Sequence, residues 1–313
     1  FGSLASGNNE ASIESVKYPY LVLGVAFLAV AAFLKFSSVP NHIDLEAVKA
    51  SQVQDESRQV QRKSAFAYPQ LVLGMLAIFV YVGVEVATIS NLPAYLEEDL
   101  GIQTSQLAPY VSLYWASLMI GRWTGAAGAF EIGAGAKRML MLILPFVAFG
   151  VFLAVNALAR HEVGQFFGYA AIIMAMIAAT LASRGNPARM LLYFALCGIV
   201  ALLIGIFTDG RTSAVAFISV GLFCSTMWPC IFTLAISGLG RNTNQGSSLL
   251  IMMIMGGGWI SFAQGMLADR VGIHASFWVG VACFTYLAFY AVFATRTLRR
   301  QGIELERMDG AGH

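Results

Sequence analysis

Nine apolar runs, each long enough to cross a bilayer once, succeed one another along the 313 residues and leave little of the chain for anything else. They lie at about 18–37, 68–93, 107–128, 138–158, 165–183, 190–208, 213–236, 246–267 and 275–295. A hydrocarbon core of roughly 30 Å takes about 20 apolar residues per helix. Inside it every backbone polar group needs an internal partner, which a run of this length finds as an α-helix. The expected fold is therefore an all-α integral membrane bundle of about nine transmembrane helices. Composition agrees: charged residues make up 12% and the mean hydropathy is +0.71, where soluble domains carry about a quarter charged residues.

That reading excludes several classes of protein. A net charge of +2, from 19 basic and 17 acidic residues, gives no electrostatic footprint for nucleic acid. Cys197, Cys224, Cys230 and Cys283 all fall inside apolar runs, away from His42, His161, His274 and His313, so neither a disulfide scaffold nor a metal site is expected. No H-E-x-x-H, G-x-S-x-G or phosphate-binding G-x-x-x-x-G-K-[ST] motif occurs, and no cofactor or enzymatic activity is expected.

The chain opens on FGSLASGNNE without methionine and without a charged-apolar-small leader pattern, as a fragment lacking an N-terminal part would. Residues 1–37 hold one membrane helix, 38–67 form the only long polar stretch, 68–298 carry the remaining spans and 299–313 make a polar tail. Counting Lys and Arg in alternate loops gives 14 on one side and 4 on the other, with Arg122 inside a helix. By the positive-inside rule the linker 38–67 and the tail face the cytoplasm.

Glu85 is the most informative side chain, a carboxylate near the middle of an otherwise apolar helix. Insertion scales charge about 2.5–3.5 kcal/mol for an acidic group at that depth, so it is expected to face a polar cavity or a partner, or to sit protonated as a neutral hydrogen-bonded group between helices. Asn91 follows on the same helix, then Pro93. The next run carries Tyr114 and Trp115, able to stack on a sugar face or to fill a core, and Arg122 about two turns on, read as a structural gate. In the sixth run after the linker, Pro229 beside Trp228 breaks the helix pattern; in the seventh, Gly256, Gly257 and Gly258 allow close helix approach, and Gln264 adds a polar amide two turns beyond.

The blocks YVGVEVATISNLPAYL, LYWASLMIGRWTG and MWPCIFTLAISGLGRNTNQGSSLLIMMIMGGGWISFAQGMLADRVG, in that order, resemble the sugar–proton symporters of the fucose–galactose–glucose group within the major facilitator superfamily. The resemblance covers roughly residues 68–296. It implies that 38–67 joins two six-helix halves, that 18–37 is the sixth helix, and that the main proton-coupling carboxylates belong to an N-terminal half outside this chain. It implies substrate contact by Glu85, Asn91, Tyr114, Trp115, Trp228 and Gln264, and gating or structural roles for Arg122, Pro229 and Gly257. The sequence departs from the family in one respect: eight runs follow the linker where the family needs six. The extra pair is 165–183 with 190–208, or 138–158 with one of these.

The resulting expectation is secondary active transport of a monosaccharide, a hexose or 6-deoxyhexose such as glucose, galactose or fucose, coupled to protons by alternating access. The expected location is multi-pass in a bacterial inner membrane. An exporter of amphipathic compounds on the same fold is the alternative, and a lipid-modifying membrane enzyme a more distant one.

Overall fold

A computed structural model describes residues 13–36, 64–126 and 133–303. The chain divides into two compact units, Phe1–Val60 and Gln61–His313. Most of the expected linker, at 38–63, and the tail from 304 onward lie outside the described residues. In the first unit, α1 spans Ile13–Phe36 as a 24-residue helix with an apolar stretch at Tyr20–Phe33.

All the other expected runs are helical. The second unit begins with Ser64, whose side chain caps a 3₁₀ turn at Ala65–Ala67. Pro69 then opens α2 (Pro69–Glu98), where its fixed φ suits a first helical position and its missing N–H is not needed. The remaining helices are α3 (Ala108–Ala126), α4 (Ala134–Leu158), α5 (Tyr169–Ser183), α6 (Pro187–Phe207), α7 (Gly210–Cys224), α8 (Met227–Ile236), α9 (Thr243–Met252), α10 (Gly256–Val271), α11 (Ile273–Ser276) and α12 (Trp278–Arg300). Seven helical segments among the described residues are long and apolar enough to cross a membrane. The helix α3 is not one of them, because Ser, Tyr, Trp, Thr and Arg residues dilute its apolar surface.

Three boundaries differ from the sequence reading. Helix α2 runs through Pro93 to Glu98, one turn further than the apolar run. The run 213–236 is two helices, α7 and α8, separated by Ser225 and Thr226. Pro229 thereby falls in the first turn of α8, where proline is tolerated. The run 246–267 is likewise broken, by a 3₁₀ turn at Met253–Met255 between α9 and α10, and Gly272, at φ 90°, ends α10.

Packing settles which helices are additional. Helix α2 lies along α10 and α12, while α7 lies along α3 and α6, and α6 and α12 pack on each other. Exchanging α2, α3 and α6 for α7–α8, α9–α10 and α12 maps these contacts onto themselves, the signature of inverted three-helix repeats. Helices α4 and α5 have no counterpart under the exchange; α4 packs mainly against α3. The additional pair is thus 134–158 with 169–183, and 187–207 holds the third position of the first repeat. Close approaches mark the central crossings. A Cβ on Gly198 of α6 would lie 2.6 Å from the Phe284 ring of α12, and one on Gly280 of α12 would lie 2.9 Å from Leu202 of α6. Gly121 of α3 faces Ser225, and a Cβ on Gly221 of α7 would lie 2.9 Å from the Tyr114 carbonyl.

Polar side chains tie the bundle at both ends. Gln70 is buried and exchanges amide hydrogen bonds with Gln301 (3.2 and 3.1 Å), while its amide also donates to the Ser237 carbonyl at 3.2 Å. At the opposite end His274 Nε2 lies 2.8 Å from the Gly205 carbonyl and Nδ1 lies 3.7 Å from Asp99. The added pair is tied to α3 by Ser117 with the Tyr169 hydroxyl at 2.6 Å and by Asn156 donating to Ser112 at 3.4 Å.

Candidate functional site

Glu85 sits mid-helix on α2 with a side chain only 14% exposed, so its charge must be met by protein or substrate groups. One turn earlier on the same helix, the Tyr81 hydroxyl donates to Glu85 Oε2, the i,i+4 relation that places two side chains on one helix face. Across the crossing with α3, the Tyr114 hydroxyl donates to the Glu85 backbone carbonyl at 2.7 Å. Arg122 Nη2 approaches Glu85 Oε1 to 3.8 Å, with its own side chain 53% exposed. Carboxylate and guanidinium therefore face each other at a rim, not in a sealed core.

Aromatic groups frame this pair. Trp115 lies seven residues before Arg122 on α3, two turns along the same face, and is 49% exposed. Met119 between them is also exposed, so the stripe is open along its length. Trp228, at the start of α8, is half-buried, its ring tilted against Tyr81 at 6.2 Å between centroids. Tyr114 is fully buried beneath Trp115, edge-on at 5.9 Å.

The expected site residues thus separate into those that converge and those that do not. Glu85 meets Tyr114 and Arg122 directly, Trp228 joins them through the Tyr81 ring, and Trp115 lies against Tyr114. Tyr114 is spent on holding α3 to α2, and Arg122, expected at a gate, is drawn to Glu85. Asn91 stands apart, donating to the Ala87 carbonyl of its own helix at 2.8 Å. Gln264 is buried and bonded to Ser276 at 3.3 Å, joining α10 to α11. Gly257 packs on α2, where a Cβ would meet Val86 at 3.1 Å and Val82 at 3.3 Å; its role is close helix packing. Pro229 is exposed in the first turn of α8. Tyr81 went unnoticed in the sequence, although its position four residues before the lone carboxylate was a usable signal.

At the α7–α8 joint, Ser225 takes the Leu222 carbonyl twice, through its N–H at 3.4 Å and its hydroxyl at 2.6 Å. Other helical threonines, such as Thr88 and Thr124, donate to the carbonyl four residues back. Thr226 finds that acceptor taken, and its Oγ1 is the one buried side-chain polar atom without a hydrogen-bond partner among the described residues. No group of three or more potential metal ligands occurs among the described residues.

No protein-family model matches the chain. It is 30% identical over 292 residues to a glucose/galactose transporter of Brucella abortus, spanning 92% of this chain and 55% of the relative. It is 24% identical over 294 residues to the L-fucose-proton symporter of Escherichia coli, spanning 93% of this chain and 54% of the relative. The chain therefore spans about half the length of the curated relatives it matches. Among solved structures, the major facilitator superfamily transporter FucP in its outward conformation aligns with a TM-score of 0.56 and 24% identity, over 90% of this chain and 55% of that one. The relatives are transporters, and the protein is a multi-pass membrane protein with a major-facilitator-type fold. By sequence the chain is thus similar to a glucose/galactose transporter and an L-fucose-proton symporter, and by fold to a major facilitator superfamily transporter.

Proposed function

We propose that this chain forms part of a secondary active transporter of a monosaccharide, a hexose or 6-deoxyhexose, which works by alternating access in the bacterial inner membrane and couples sugar to proton movement. The observation that carries the reading is the Glu85 carboxylate, held by Tyr81 within an apolar span and turned toward Arg122 at an open face. A carboxylate and a guanidinium supply acceptors and donors for sugar hydroxyls, and exposed Trp115 with half-buried Trp228 offers apolar faces for a sugar ring. The names of the relatives, a glucose/galactose transporter and an L-fucose-proton symporter, point to the same substrate class. Coupling carboxylates are assigned to the other half of the transporter. That half and the lipid bilayer are the partners of the described bundle.

The test is uptake of radiolabelled hexoses and 6-deoxyhexoses by cells producing the full-length protein. Wild-type protein accumulates at least one of these sugars, and Glu85→Ala lowers that uptake at subsaturating sugar by about tenfold or more, the scale of a lost hydrogen bond to a charged group. Unchanged uptake by Glu85→Ala removes the assigned role.

A further inference from the structure

The separation of 3.8 Å between Arg122 Nη2 and Glu85 Oε1 is too long for a hydrogen bond. Oε2 is engaged by Tyr81, while Oε1 receives no hydrogen bond from a described residue, and the guanidinium donates none to one. The carboxylate is an acceptor only and the guanidinium a donor only, so the gap asks for a ligand that donates on one side and accepts on the other. A hydroxyl does both. One hydroxyl spanning the gap alone would have its donated and accepted bonds bent to roughly a right angle. Two neighbouring gauche hydroxyls have oxygens closer together than the two protein groups. Each then reaches its own group at hydrogen-bond distance, and the guanidinium fork keeps good geometry.

We propose that Glu85 and Arg122 form a clamp for a vicinal diol of the substrate, one hydroxyl donating to Glu85 Oε1 and its neighbour on the ring accepting from Arg122. This rests on the sugar-transport reading and adds to it a structural feature of the substrate. Tyr81 is then a positioning residue, fixing which carboxylate oxygen faces the gap. Exposed Trp115, two turns along the same face as Arg122, covers the apolar side of the ring that carries the diol.

The experiment measures competition for sugar uptake by the full-length protein, using the transported hexose and its monodeoxy analogues at every ring position. In wild type, two adjacent positions each cost about 10- to 100-fold in apparent affinity when their hydroxyl is removed, as expected where charged site groups lose their partner. In Glu85→Met the penalty at one of those positions disappears; in Arg122→Met the penalty at its neighbour disappears. Glu85→Gln and Arg122→Lys show the same positions with attenuated losses and serve where the methionine variants fail to reach the membrane. The clamp is overturned if the two variants relax the same position, relax positions that are not adjacent, or relax none. A wild-type protein that takes up none of the hexoses or deoxyhexoses overturns the transport reading itself, whereas sugar uptake with the wrong pattern of deoxy penalties overturns only the clamp.

Discussion

Replacing Thr226 by valine should make the protein more stable, an unusual direction for a substitution in a packed bundle. The branched shape is kept and one polar atom is exchanged for a methyl group. The side chain already meets α3 with room to spare, since even a Cβ on Gly125 would lie 3.6 Å from its methyl carbon. Ser225 occupies the Leu222 carbonyl, so the Thr226 hydroxyl carries its desolvation cost uncompensated, about 1–3 kcal/mol. The matched control is Thr88→Val, which removes a buried bond made to the Val84 carbonyl at 2.7 Å and should cost about 0.5–1.5 kcal/mol. Cys224, Cys230 and Cys283 are free and buried, so a thiol-reactive fluorophore reports unfolding of the full-length protein in detergent. At about 2–4 °C per kcal/mol for a unit of this size, Thr226→Val should melt roughly 2–12 °C above wild type and Thr88→Val below it. A Thr226→Val protein that melts at or below wild type refutes the reasoning, because the hydroxyl must then have a partner that the joint supplies.

Other expectations follow from the same geometry. Gly198→Val drives a side chain into the buried Phe284 ring and should destabilise by about 1–3 kcal/mol, whereas Gly150→Ala, with nothing within 4 Å, should stabilise by about 0.5–1 kcal/mol; thermal melts of both variants check the opposite signs. Gln70→Leu strands the Gln301 amide and the Ser237 carbonyl, and should lower stability by about 1–3 kcal/mol, read in the same melting assay. Single cysteines replacing Arg184 and Gln301 should react with an impermeant thiol reagent from the cytoplasmic side, and those replacing Thr104 and His161 from the other. Any one of the four reacting from the opposite side breaks the assigned topology.

The helical class and nearly every span were legible in the sequence because a hydrophobic run of bilayer length has few other solutions. Glu85 was legible for the converse reason: a carboxylate among Val and Ile residues is costly enough to need an explanation. What the sequence withheld was orientation and partnership. Asn91 and Gln264 are polar residues in apolar runs just as Glu85 is, yet one bonds its own helix and the other a neighbouring one; only the helix faces distinguish them. Arg122 and Glu85 lie 37 residues apart in the chain on different helices, and no spacing rule joins them. The additional pair was likewise beyond counting, since any two consecutive spans leave the same sidedness, and only the packing of α6 against α12 and α7 separated the candidates.

That hairpin of α4 and α5 departs from and returns to one face of the membrane. A lineage can acquire or shed it as a cassette without turning the later spans inside out. The α3 surface beneath it is prepared for either condition: the Ser117 hydroxyl donates to the Leu113 carbonyl at 2.6 Å and the Ser112 hydroxyl to the Pro109 carbonyl at 3.0 Å. Stripped of its neighbours, α3 would still present hydroxyls already satisfied by their own backbone to the acyl chains, which makes this flank of the bundle a natural point for evolutionary addition.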